Sequence, residues 1–220
     1  MELKGRRIVF LGDSITEGAG VEDIAAHRFD NRIAAKYGAL AVNCGIGGTR
    51  IAHQHKASAV PRYDLSMCGR AYDLDPDADC IVVFGGTNDY GHGDANFGTF
   101  SDTTPDTYCG AVRFLADFLR ERYPEACIVF MTPARRLGDS APDPDPRGAN
   151  ADKRALVEYA DAIIRICGEK GIPVLDLFRD LGIDPNDQEQ RERYTVDGLH
   201  LNDEGHAVLA GLLGAFLEAL

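Results

Sequence analysis

Short apolar runs alternate with longer stretches of helical periodicity along most of the chain. The runs are "RIVFLG", "ALAVNCG", "DCIVVFGG", "ACIVFMTP" and "IPVLDLF". They are apolar without alternation and bounded by turn formers, which predicts five strands buried on both faces, as a parallel sheet requires. Between them lie amphipathic segments. Residues 22–38 can place Ile24, His27, Ile33 and Ala34 on one face. Residues 104–124 do so with Val112, Leu115, Phe118 and Leu119, and stop at Pro124. Residues 150–171 align Leu156, Tyr159, Ile163 and Ile166 and stop near Gly171, and a closing helix begins at the cap Asn202. This strand–helix alternation predicts an α/β fold: a flavodoxin-like, doubly wound three-layer sandwich with a five-stranded parallel sheet. With no repeat and no linker, residues 1–220 read as a single domain. The Pro- and Asp-rich stretch 138–149 reads as a surface loop rather than a boundary.

Ligands of open α/β sheets bind beyond the carboxyl ends of the strands, and there the chain places its polar, glycine-rich segments. "GDSITEG" follows the first run, "NCGIGGTR" the second, "GGTNDYGHG" the third, and "DGLHLNDEGH" precedes the last helix. Ser14 is either a turn serine or a nucleophile, since a hydroxyl attacks only with a base and oxyanion donors beside it. Glycines 12, 18 and 20 would let a substrate approach the backbone. It is not the G-x-S-x-G elbow of the α/β-hydrolases. Asp197 and His200 are three residues apart, which on a tight turn lets the carboxylate reach Nδ1 and leaves Nε2 as a base. His206 falls inside the helical pattern and lacks an acid at that spacing. Asn88 suits either an Asx-turn or an amide donor, and Gly48 either a left-handed turn or a backbone N–H donor.

Composition narrows the partners. Twenty-three basic residues against 35 acidic ones leave a net charge of -12, which disfavours nucleic acid and anionic membranes. No run approaches the roughly 18 apolar residues of a membrane span, and the N-terminus is too polar for a signal-peptide core. The six cysteines form no C-x-x-C pair, and Cys80 and Cys127 open apolar runs. They read as free, mostly buried thiols, and the cytoplasm is the expected compartment.

Taken together, Ser14 in G-D-S-I, Gly48 in N-x-x-x-x-G, Asn88 in G-x-N-D and the D-x-x-H of Asp197 and His200 resemble the SGNH (GDSL) hydrolases. The blocks occur in order from residue 12 to 206. The resemblance implies the SGNH fold, with Ser14 as nucleophile, His200 as base and Asp197 as its orienter. It also implies an oxyanion hole from the Ser14 and Gly48 N–H groups and the Asn88 side chain, and no cofactor or metal. "NCGIGG" offers Gly45, Gly47 and Gly48 for one donor, and spacing from Asn43 selects Gly48. The chain lacks a long apolar lid and has no Trp, so the interfacial lipases of the family are poor guides.

The expected activity is hydrolysis of short-chain carboxylic esters through an acyl-enzyme, with an acetylated sugar as the leading substrate. The polar loop residues Arg50, His53, Gln54, His92, Asp94, Asn96, Arg135 and Arg136 suit a hydroxyl-rich alcohol. Aryl- or thioesters and lysophospholipids are the alternatives within the family. A metal-dependent phosphoesterase would draw on Asp13, His53, His55, Asn88, Asp89, His92 and His200, but Asp13 is followed by Ser14 and Ile15 rather than the D-x-H such a site needs. A nucleotide- or sugar-binding module would need a phosphate-binding glycine motif, and neither G-x-G-x-x-G nor G-x-x-x-x-G-K-[ST] occurs at the first turn.

Overall fold

Each of the five apolar runs contributes a strand: β1 (Arg7–Gly12), β2 (Leu40–Gly45), β3 (Cys80–Phe84), β4 (Cys127–Met131) and β5 (Val174–Leu175). In the computed structural model, which describes residues 1–143 and 152–220, they form one sheet in the order β2-β1-β3-β4-β5. All four pairings are parallel. This is the flavodoxin-like order expected from the pattern. Because successive side chains of a strand point to opposite faces, each strand feeds two cores. Val9, Leu11, Ile81, Val83, Ile128 and Phe130 belong to one, and Ile8, Phe10, Val82, Phe84, Val129 and Met131 to the other.

Ten helices lie among the described residues. They are α1 (Ser14–Glu17), α2 (Ile24–His27), α3 (Phe29–Tyr37), α4 (Met67–Arg70), α5 (Thr87–Gly91), α6 (Tyr108–Arg122), α7 (Leu156–Glu169), α8 (Leu177–Asp180), α9 (Gln188–Tyr194) and α10 (Asp203–Ala219). Helices α6 and α7 cover the first core with Val112, Leu115, Leu119, Leu156, Tyr159, Ile163 and Ile166. On the opposite face α3 and α10 contribute Phe29, Ile33, Leu209, Leu213 and Leu217. Asn202 caps α10 by accepting the N–H groups of Glu204 and Gly205. All six cysteines are free thiols, with Cys44 and Cys127 half-buried and the rest buried. No described helix is long and apolar enough to cross a membrane.

Three elements differ from the periodicity. The helix expected over 22–38 breaks at Arg28, whose backbone is extended at φ -63° and ψ 138°. There the N–H of Phe29 donates to His206 Nδ1 at 3.2 Å instead of to a helical carbonyl. Arg28 turns back onto the buried Asp30 at 2.6 and 2.9 Å. Ile24 is consequently exposed rather than on the core face. The fifth run pairs through only two residues, because Thr132 Oγ1 accepts the N–H of Phe178 and donates to Asp176, turning the chain into α8. Between residues 61 and 73 two 3-10 turns (Pro61–Asp64 and Ala71–Asp73) flank α4 where no element was expected. Residues 144–149 of the expected surface loop lie outside the described residues.

Candidate active site

The carboxyl ends of β1, β2 and β3 converge on one cleft of about 390 Å³, lined by Ser14, Gly48, Asn88 and His200 among others. Ser14 opens α1 immediately past β1, capped by Asp13, whose carboxylate accepts the N–H of Ile15. Its Oγ lies 2.9 Å from His200 Nε2, a contact spanning 186 residues of chain. Asp197 Oδ2 sits 2.7 Å from His200 Nδ1. Since an ionised carboxylate can only accept, Nδ1 carries the hydrogen and the Nε2 lone pair faces Ser14. Asp197 Oδ1 also accepts the N–H groups of Leu199 and His200. Burial works to raise the Asp197 pKa, but these bonds and the imidazole outweigh it and hold the carboxyl below its ordinary range.

Gly20 lets the His200 loop close against the end of α1. A Cβ there would stand 2.6 Å from the Leu201 carbonyl oxygen. The glycine expected to admit a substrate thus admits protein.

Three donors face the cleft. Of the candidate glycine N–H groups, that of Gly45 is taken by Asn43 Oδ1 at 3.0 Å and that of Gly47 by Glu17 Oε2 at 2.8 Å. Among the described residues, the N–H groups of Gly48 and Ser14 have no protein acceptor. Gly48 adopts φ +76°, and its missing side chain is replaced by the ring of Tyr63, which a Cβ would meet at 2.3 Å. Asn88 is held from both ends rather than in an Asx-turn. Its Nδ2 donates to the Thr49 carbonyl at 2.9 Å, and its Oδ1 lies 3.1 Å from His92 Nε2. Arg50 Nη2, which can only donate, lies 2.7 Å from His92 Nδ1. His92 therefore carries its hydrogen on Nε2 and donates it to Asn88, which leaves the second Nδ2 hydrogen to the cleft.

Buried charge surrounds this frame. Desolvation pushes the Asp13 carboxyl up to about 7, against the downward pull of the Ile15 N–H, His200 and Arg70. The carboxylate bonded to the imidazole is that of Asp197, 2.7 Å from Nδ1. Burial also raises Asp89 to about 6 despite bonds from the Ala52 and Ile51 N–H groups, which tie the loop after β2 to α5. Arg70, lowered to about 10 by burial, donates to the carbonyls of Gly12 and Cys44 and to Thr49 Oγ1. It clamps the ends of β1 and β2 in place.

Of the eight loop side chains expected to meet a substrate, His92 and Arg136 line the cleft. Arg50, Gln54 and Asp94 line a neighbouring cavity. Arg135 turns away to Asp139 and Asp184, Asn96 engages Thr107 through its backbone, and His53 is exposed. Glu17, Arg62 and Tyr63 also line the cleft, with Arg62 bonded to Glu17 at 2.6 Å. Sequence reasoning missed these three and Arg70, and it set Arg50 against a substrate, whereas its guanidinium is bonded to the Tyr63 carbonyl and to His92. Only Glu17, inside "GDSITEG", carried a local signal. His206 is fully buried against Phe29, away from Ser14. Among the described residues no three His, Cys, Asp or Glu side chains gather as a metal site.

A family model described as the GDSL-like Lipase/Acylhydrolase family matches residues 10–208. A crystal structure of a Lactobacillus plantarum protein is 32% identical, with a TM-score of 0.82 and 98% of each chain covered. The native aryl esterase of M. smegmatis is 18% identical, at a TM-score of 0.67 over 98% of this chain and 100% of that one. A lipase/acylhydrolase from Enterococcus faecalis is also 18% identical, at 0.66 over 97% and 96%. At that identity the last two speak to the fold alone. No curated protein sequence matches the chain.

Proposed function

The chain belongs to the GDSL-like lipase/acylhydrolase family, and from that premise we propose that it is a serine esterase acting on short-chain esters of polar alcohols, an acetylated sugar foremost. The observation that carries this reading is the Ser14–His200–Asp197 relay, at 2.9 and 2.7 Å. His200 Nε2 takes the Ser14 proton as Oγ attacks the ester carbonyl. The oxyanion that forms is met by the N–H groups of Ser14 and Gly48 and by the free Asn88 Nδ2 hydrogen. His200 then protonates the departing alcohol, and water repeats the sequence to release the acid.

The polarity of the cleft supports a polar alcohol. Around its mouth stand Glu17, Arg62, Arg136 and Asp143, which can hydrogen-bond hydroxyl groups but give a long acyl chain no continuous apolar trough. A fluorophosphonate is expected to add once, at Ser14, and Ser14→Ala to abolish hydrolysis while the fold persists. Labelling elsewhere, or an active alanine variant, would overturn the assignment. Acetate release from acetylated xylose or glucose, compared with p-nitrophenyl esters from acetate to octanoate, tests the substrate class. An optimum at octanoate with no acetate released from sugars would remove the short-chain reading.

A further inference from the structure

Beside the catalytic cleft lies a second cavity of about 400 Å³. Tyr63 and His92 line both spaces. Their rings meet at a centroid distance of 5.7 Å and a tilt of 44°, so the pair forms a partition between the two. Behind it Ala57, Ala59 and Val60 form an apolar side of the second cavity, and Arg50, Gln54, Lys56, Ser58 and Asp94 form its polar side.

The partition stands where an acyl group must go. A tetrahedral carbon on Ser14 Oγ directs its oxyanion to Gly48 and Asn88 and its leaving oxygen to His200 Nε2. His200 reaches Ser14 from the sheet face of α10, since its neighbours Leu199 and Leu201 pack into that core. Tyr63 and His92 approach from the other face, where Ile51, Met67 and Tyr90 are buried. Tyr63 packs on Gly48, and His92 is bonded to Asn88. With the alcohol leaving on the α10 side, the acyl substituent is left the side that Tyr63 closes. Arg50 braces both halves of the wall, donating through Nη1 to the Tyr63 carbonyl at 2.8 Å and through Nη2 to His92.

We propose that Tyr63 is the side chain that limits acyl length, and that the cavity behind it is room for a longer acyl chain that its ring shuts off. The proposal rests on the reading of Ser14 as an esterase nucleophile. Removing the ring would join the two spaces and let added methylenes lose water against the side formed by Ala57, Ala59 and Val60.

The test compares kcat/KM of wild type, Tyr63→Ala and Tyr63→Phe on p-nitrophenyl esters from acetate to octanoate. Tyr63→Ala is expected to raise the octanoate-to-acetate ratio about tenfold or more, and Tyr63→Phe, which keeps the ring, to leave it unchanged. A ratio unmoved in Tyr63→Ala, even with all rates lowered, would show a purely structural role and overturn the proposal. So would an equal shift in Tyr63→Phe. Should Tyr63→Ala show no cooperative melting transition, Tyr63→Leu is read by the same ratio. Failure of the underlying reading looks different: wild type then hydrolyses none of the esters and Ser14 takes no fluorophosphonate. A wild-type optimum at octanoate would overturn the wall before any variant is made.

Discussion

His92 Nε2 lies 3.1 Å from Asn88 Oδ1, and with the Nδ2 bond to the Thr49 carbonyl it fixes which end of the Asn88 amide faces Ser14. An amide reversed by half a turn would present an oxygen to the oxyanion and repel it. Asn88→Ala is expected to lower kcat by about 10²–10³ with little change in KM, because the donor acts on charge that develops only in the transition state. An unchanged kcat would reduce Asn88 to a loop anchor.

His92→Phe keeps a ring in the wall beside Tyr63 but removes the donor to Asn88. The expected result is a fall in kcat of roughly tenfold, from partial loss of amide orientation, with the acyl-length profile unmoved. Steady-state kinetics across the ester series reads both quantities. A changed KM with normal kcat would place His92 in substrate binding instead.

Asp197→Asn replaces an obligate acceptor by an amide that can donate to His200 Nδ1 and so favour the tautomer with hydrogen on Nε2. That hydrogen would face Ser14 Oγ and block proton transfer. We expect kcat to drop by about 10²–10⁴, with a melting temperature near that of wild type because the Asp197 side chain is half exposed. Near-normal turnover would mean that the loop alone orients the imidazole.

Gly48→Ala forces a side chain into a left-handed conformation and against the Tyr63 ring. The strain is about 1–2 kcal/mol before any repacking, so thermal unfolding should shift down. Activity should fall as well, since the Gly48 N–H moves. A variant as stable and active as wild type would show that this turn tolerates a Cβ and that the donor lies elsewhere.

Burial lowers His206 to about 4, against the upward pull of Asp30 and Asp203, while Arg28 and Arg32 push the same way as burial. Its folded pKa is below the unfolded value near 6.5, so the unfolded chain binds the extra proton between those values. The stabilisation is complete above about pH 6.5 and is lost as pH falls towards 4, amounting to about 3 kcal/mol. Asp13 and Asp89, whose carboxyls are raised, titrate with the opposite sign, so a comparison with His206→Phe isolates the histidine. The stability difference between the two proteins should shrink by that amount from pH 7.5 to 4. A constant difference would mean that the ring is protonated at no cost.

The layout of this protein was legible because it is written in short-range pattern. Continuous apolar runs and 3.6-residue periodicity report burial on two faces or one, whatever the partner. They placed β1 to β4, α6, α7 and α10 and the polar loops at the strand ends. The family resemblance added the pairing of Ser14 with His200, which no local rule contains. What periodicity could not carry is any choice settled by a distant group. The helix over 22–38 breaks because His206, in the last helix, offers the Phe29 N–H an acceptor. Gly48 rather than Gly47 keeps a free N–H because Glu17, thirty residues before Gly47, occupies that of Gly47. Arg50 and His92 read as loop residues facing a substrate, yet packing bonds them to each other and His92 to Asn88. A polar side chain looks the same in sequence whether it meets water or a buried amide. Only the tertiary structure brings that amide within hydrogen-bond distance and so decides its partner.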